Sequence, residues 1–111
     1  MTVASNKIGQ VLVLSPSGRL DAETAPGLQD QIMGHVEEGD TSILLELSGL
    51  NYVSSAGIRA ILVVAKKMQE VDGQFALCGL TEPVGDVFTV SGFDKILNIH
   101  VDQTSAIAAL E

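Results

Sequence analysis

Ser54-Ser55-Ala56-Gly57 stands between a short apolar stretch and a long amphipathic one. Hydroxyls at such a point serve a helix start, because each can accept a hydrogen bond from a free amide donor of the first turn. Neither serine is followed three positions later by Glu or Gln, so no reciprocal capping box forms. An exposed hydroxyl here is also a candidate phosphoryl acceptor. Phosphate would add about −1.5 to −2 charge beside the positive end of a helix dipole. Arg59, four residues beyond Ser55, lies one helical turn on and can reach that phosphate, so the modification need not unfold the domain. Its effect would fall on a partner docked at that face. A purely capping role for both serines accounts for the same residues.

Other chemistries lack their residues. There is no G-x-G-x-x-G or G-x-x-x-x-G-K-[ST] loop to cradle a phosphate, and no G-x-S-x-G nucleophile elbow. His35 and His100 are far apart in sequence from Ser55 and nothing local pairs them with it. Cys78 lies in an apolar stretch and reads as core, since an activated thiolate needs an electropositive, partly exposed setting. Asp21, Glu46 and Asp72 are scattered, so no carboxylate pair can be assigned. One Cys and two His give neither a disulfide framework nor a zinc cluster. The expectation is a protein without catalytic residues, metal or cofactor.

Charge narrows the partners. Six Lys and Arg against fourteen Asp and Glu leave −8 over 111 residues, which opposes nucleic acid and anionic membrane surfaces. Arg59, Lys66 and Lys67 are half of all six cations. Three Phe, one Tyr and no Trp offer little for stacking bases. With no signal-peptide pattern and nothing near the roughly 18 apolar residues of a membrane span, a cytoplasmic protein is expected. No linker or repeat divides the chain, so residues 1–111 read as one domain, and 46% apolar residues are enough for one core.

The elements that must hold the serines alternate. Val11–Leu14 reads as a strand, Ser15-Pro16-Ser17-Gly18 as a turn, and Arg19-Leu20 as a short antiparallel return. Thr24 is placed to cap a helix with Ala25, Leu28, Ile32 and Val36 on its inner face. Ile43–Leu47 is nearly continuous in apolar residues, as expected of a strand covered on both faces. Ser48–Asn51 reads as a loop, and a helix opens at Ser54-Ser55 and runs to about Glu70. Phe75–Cys78 is a strand, Thr81 to about Gly92 a helix, Lys95–Val101 a last strand, and Ala106–Leu110 a final helix capped by Asp102 or Thr104. This is α/β alternation: a mixed, largely parallel sheet of four to five strands packed with about four helices.

Projected at 100° per residue, Ile58, Ile61, Leu62, Ala65 and Met68 fall on the core face of the serine helix. Ser55, Arg59, Val63, Lys66 and Glu70 fall on the opposite face. Val63 is then an apolar residue between charges, and the stripe is a candidate recognition surface. Gly57, in the first turn where glycine is disfavoured by up to about 1 kcal/mol, implies close backbone approach to a neighbouring element or to a partner.

Three segments resemble a known family: Gly18-Arg19-Leu20-Asp21-Ala22, Ile43 through Ile58, and Ser91-Gly92-Phe93-Asp94-Lys95-Ile96-Leu97. In order and spacing they are similar to a STAS domain, and more narrowly to the bacterial anti-sigma factor antagonists. The resemblance implies a STAS-type sheet and a partner switch. In the family the helix-opening motif is usually Asp-Ser-Ser-Gly, with its first serine as phosphoacceptor. Matched on the glycine, Ser55 takes the acceptor position, Ser54 replaces the Asp and stands as a competing acceptor, and Ala56 replaces the second Ser. Asp21 matches an acidic residue near the same surface. The partner surface so implied comprises Asp21, Ser54, Ser55, Gly57, Arg59, Val63 and Lys66. Its implied partners are an anti-sigma factor that is also a serine kinase, whose binding releases a sigma factor, and a PP2C-type phosphatase. A docking subunit of a signalling scaffold or lipid-transport complex, permanently bound and never switched, is the alternative on the same fold.

Overall fold

The chain begins with a hairpin. In the computed structural model, which describes residues 1–110, β1 (Thr2–Ile8) pairs antiparallel with β2 (Val11–Leu20), Ile8 facing Val11 across a two-residue turn. The reversal expected at Ser15–Gly18 does not occur, and Arg19-Leu20 is the end of β2 rather than an antiparallel return. Pro16 is tolerated within β2 because pairing with the next strand, β3 (Ser42–Glu46), has already ended at Leu14, so the missing N–H removes nothing from that ladder. Gly18, at φ +102°, takes up a register shift instead of a turn.

Beyond Gly18 the end of β2 pairs with β4 (Leu50–Val53), a strand formed by residues whose first half reads as loop from composition. Four residues are too few to show a period, and β4 forms because β2 outruns β3 and leaves an edge to be paired. The remaining strands are β5 (Gln74–Cys78) and a two-residue β6 (Ile99–His100). The expected strand over Lys95–Val101 shrinks to β6, because Phe93–Lys95 closes a turn of 3-10 helix. Six strands result among the described residues, ordered β1-β2-β3-β5-β6 with β4 beside β2, and every pairing but the first is parallel.

Among the described residues four helices cover the sheet: α1 (Ala25–Glu37), α2 (Ser55–Glu70), α3 (Glu82–Ser91) and α4 (Gln103–Leu110). The first three pack on one face through Leu28, Ile32, Ile61, Val64, Val84 and Phe88. On the other face, α4 packs Ala106 and Leu110 against Val11, Val13, Leu44, Ala76 and Cys78. Ile43, Leu44 and Leu45 are therefore all inaccessible, as continuous apolar character in β3 requires. Asp102 rather than Thr104 caps α4, its carboxylate accepting from the Ser105 N–H at 2.9 Å.

Candidate functional site

Three backbone segments converge where the sheet ends: the last residues of β2, the whole of β4, and the first turn of α2. Val53 of β4 pairs with Leu20 of β2, and the next N–H, that of Ser54, donates to the Leu20 carbonyl at 2.9 Å. Ser54 is extended (φ −98°, ψ 173°), half-buried, and caps α2 with its hydroxyl, which accepts from the Gly57 N–H at 3.3 Å. Its carbonyl accepts from the Ile58 N–H at 3.0 Å. Ser55 is the first helical residue and is exposed. The two serines thus divide the tasks: Ser54 is held in the cap, and Ser55 faces solvent at the positive end of the helix.

Gly57 answers its own question. A Cβ built there would stand 2.8 Å from both the Leu20 Cγ and the Leu20 carbonyl oxygen, and 3.0 Å from Val53 Cγ2. Close approach to a neighbouring element is the reason for this glycine, and Gly57 is buried. It therefore drops out of the docking residues expected from sequence and belongs to the seam under them.

Of the remaining candidates, Arg59, Val63 and Lys66 lie on the exposed face of α2, Val63 at 40% exposure. The buried stripe is rotated slightly from the expected one: Ala60 and Val64 are in the core, whereas Leu62 and Ala65 are only half-buried. Among the described residues, no carboxylate lies within ion-pair distance of Arg59 or Lys66. Lys66 sits three turns from the helix start, where with Leu62 and Ala65 it lines a separate groove.

Asp21 follows Leu20 directly and organises the loop into α1. Its Oδ1 accepts from the Glu23 N–H at 3.0 Å and the Thr24 N–H at 3.2 Å. Thr24 makes no side-chain cap; its hydroxyl donates to the Arg19 carbonyl at 2.7 Å. The Thr24 N–H bond above all, with those from Glu23 and the Thr24 hydroxyl and the charge of Arg19, holds the Asp21 carboxyl below its ordinary value against a smaller desolvation effect. Asp21 Oδ2 lies 3.7 Å from Arg19 Nε, and the Arg19 guanidinium covers the Tyr52 ring at 4.1 Å from its centroid. Arg19 was not among the sequence candidates. Its partnership with Tyr52 comes from their direct pairing in the β2–β4 ladder, which is invisible until β4 is known to be a strand.

The histidines stand apart from the serines. His35 lies 3.5 Å from Asp40, and His100 is on the edge strand β6. Cys78 is buried in the face under α4, and burial above all, with Glu46 and Asp102 adding to it, pushes its thiol up to about 11. Among the described residues no group of three His, Cys, Asp or Glu could hold a metal ion, and no helix is long and apolar enough to cross a membrane.

This fold is found in known proteins. The STAS domain pattern matches residues 2–108. BtrV of Bordetella bronchiseptica, provisionally designated an anti-sigma factor antagonist, is 33% identical over 111 residues, covering 100% of this chain and 96% of its own. A crystal structure from Thermotoga maritima, with the same provisional designation, superposes with a TM-score of 0.92 at 23% identity, over 97% of this chain and 93% of that one. The anti-sigma factor antagonist SpoIIAA in its unphosphorylated form gives a TM-score of 0.80 at 20% identity, over 96% of this chain and 93% of that one. The phosphorylated form of the Bacillus protein gives 0.75 at 19% identity, over 99% and 100%. The chain belongs to the STAS domain family, in its group of anti-sigma factor antagonists. That group is regulatory rather than enzymatic.

Proposed function

We propose that this protein is an anti-sigma factor antagonist switched by phosphorylation of Ser55. Unphosphorylated, it docks the exposed face of α2 and the neighbouring Asp21 loop on an anti-sigma factor that is also a serine kinase, and so frees a sigma factor. The observation that carries the reading is the division between the serines: the Ser54 hydroxyl accepts from Gly57 in the cap, while Ser55 is exposed one residue on. In the transfer, Ser55 Oγ bonds to the γ-phosphorus of ATP, the bond to ADP breaks, and the hydroxyl proton passes to a base of the kinase. A PP2C-type phosphatase reverses the state by hydrolysis.

The physics fits a surface switch. Phosphate takes the net charge from −8 to about −10. Arg59, one turn away and unengaged by carboxylates among the described residues, offsets part of that charge locally, so the fold is kept while docking is lost. The existence of SpoIIAA in phosphorylated and unphosphorylated forms on this fold supports the same reading.

Intact-mass measurement after incubation with the cognate kinase and ATP tests it. One phosphate is expected on the wild type and on Ser54→Ala, and none on Ser55→Ala. Continued modification of Ser55→Ala moves the site to Ser54. Ser55→Asp is expected to weaken binding to the same partner about tenfold or more at unchanged fold; equal affinity by titration removes the switch and favours a permanently docked STAS subunit.

A further inference from the structure

At the far end of α2 from Ser55 a groove of about 600 Å³ lies between α2, β5, the turn before β6, and α4. It exists because β6 is short. Its two residues pair only with Leu77 and Cys78, so the outer edge of β5 over Gln74–Ala76 has no strand beside it among the described residues. Backbone direction alternates along β5: the Gln74 N–H donates to Thr41 on the β3 side, and the Leu77 N–H donates to Asn98 on the outer side. Phe75 therefore turns its N–H and C=O outward into the groove. Its carbonyl is met by the Asn98 side-chain amide at 3.4 Å, a side chain standing where a neighbouring strand would be.

The groove is built to take side chains as well as backbone. Leu62, Ala65, Phe75 and Leu97 line it, and Ile96 lines it while 69% exposed. Lys66 lines it too, and among the described residues no carboxylate does. An open strand edge selects an extended backbone, the apolar lining selects alternate apolar side chains, and the lysine, without a carboxylate partner among the described residues, selects a carboxylate between them. We propose that this groove is a second docking site, in which an extended partner segment of alternating apolar and acidic residues adds as a strand beside Gln74–Ala76. The site lies at the other end of α2 from Ser55, shares only Lys66 with the face proposed to dock the anti-sigma factor, and does not require the phosphorylation switch.

The test titrates the 15N-labelled full chain with acetyl-Glu-Val-Glu-Val-Glu-amide, followed residue by residue in amide spectra. The Phe75 amide proton should move downfield, with shifts at Leu62, Lys66 and Asn98, and its solvent exchange should slow about tenfold at saturation. Lys66→Glu, a surface change that leaves the spectrum dispersed, should reverse the preference toward the Lys-Val-Lys-Val-Lys counterpart. Silence of these amides with both peptides at millimolar concentration overturns the proposal, as does equal response to both or an unchanged preference in Lys66→Glu. Perturbation of Phe75 on raising the protein concentration without peptide also overturns it, since the occupant would then be a second copy of the chain.

Discussion

Gly57 and Leu20 are in such close contact that a single Cβ on the glycine would lie 2.8 Å from the leucine carbonyl oxygen. That carbonyl is the acceptor that holds the Ser54 N–H. Packing and hydrogen bonding of the serine turn therefore meet at one backbone group of β2. Gly57→Ala sets two effects against each other. Alanine favours the helix by up to about 1 kcal/mol, while overpacking at a site bounded by backbone disfavours the fold by about 1–3 kcal/mol. The expected outcome of urea denaturation is net destabilisation. A gain in stability would show that α2 shifts freely on β2.

The serines should separate in stability before any partner is added. Ser54→Ala removes the hydroxyl that accepts from Gly57 and is expected to lower stability by about 1 kcal/mol. Ser55→Ala alters an exposed first-turn residue and should change stability by less than about 0.5 kcal/mol. Denaturation midpoints at fixed slope check both values. Equal losses would mean that the cap is shared.

Acid should loosen the loop into α1. The Asp21 carboxyl lies below its ordinary value because the Thr24 N–H, then those of Glu23 and the Thr24 hydroxyl, stabilise its charged form. A depressed folded value places this contribution above the ordinary aspartate range and removes it as pH falls through the folded value. The stability difference between wild type and Asp21→Ala is therefore expected to shrink as pH is lowered from neutrality through that range. A difference independent of pH would assign the loop's order to Thr24 alone.

Alkali should act through Cys78. Its thiol is pushed up to about 11 in the fold, so the folded state holds the proton over a range where the unfolded chain releases it. The contribution is complete below the ordinary thiol value and is lost as pH rises toward about 11. Native protein should resist alkylation by iodoacetamide at neutral pH and react once unfolded. Rapid alkylation of the native form would contradict the closed face under α4.

Much of this was readable from residue types. Leu28, Ile32 and Val36 announce α1 because a helix repeats its inner face every three to four residues, and Ile43–Leu45 announce a two-sided strand because all three are apolar. The position of the serine turn, the start of α2 at Ser55 and the exposed run of Arg59, Val63 and Lys66 follow from the same local periodicity. Local periodicity fails where pairing decides. Pro16 and Gly18 carry turn chemistry, yet β2 continues through both, Gly18 taking up a register shift, since partners on β1 and β4 hold the strand on either side.

Residue order alone thus determined which stretches are apolar, where the second helix opens, and that a hydroxyl pair stands at its mouth beside half the cations of an acidic chain. Only the tertiary structure decided which hydroxyl is held and which is presented, why Gly57 is a seam rather than a contact, and that Arg19 covers Tyr52. The physical reason is the same in each case. Helical and strand periods are properties of neighbours in sequence, whereas the acceptor at Leu20, the ladder between Arg19 and Tyr52 and the open edge at Phe75 exist only when distant strands meet.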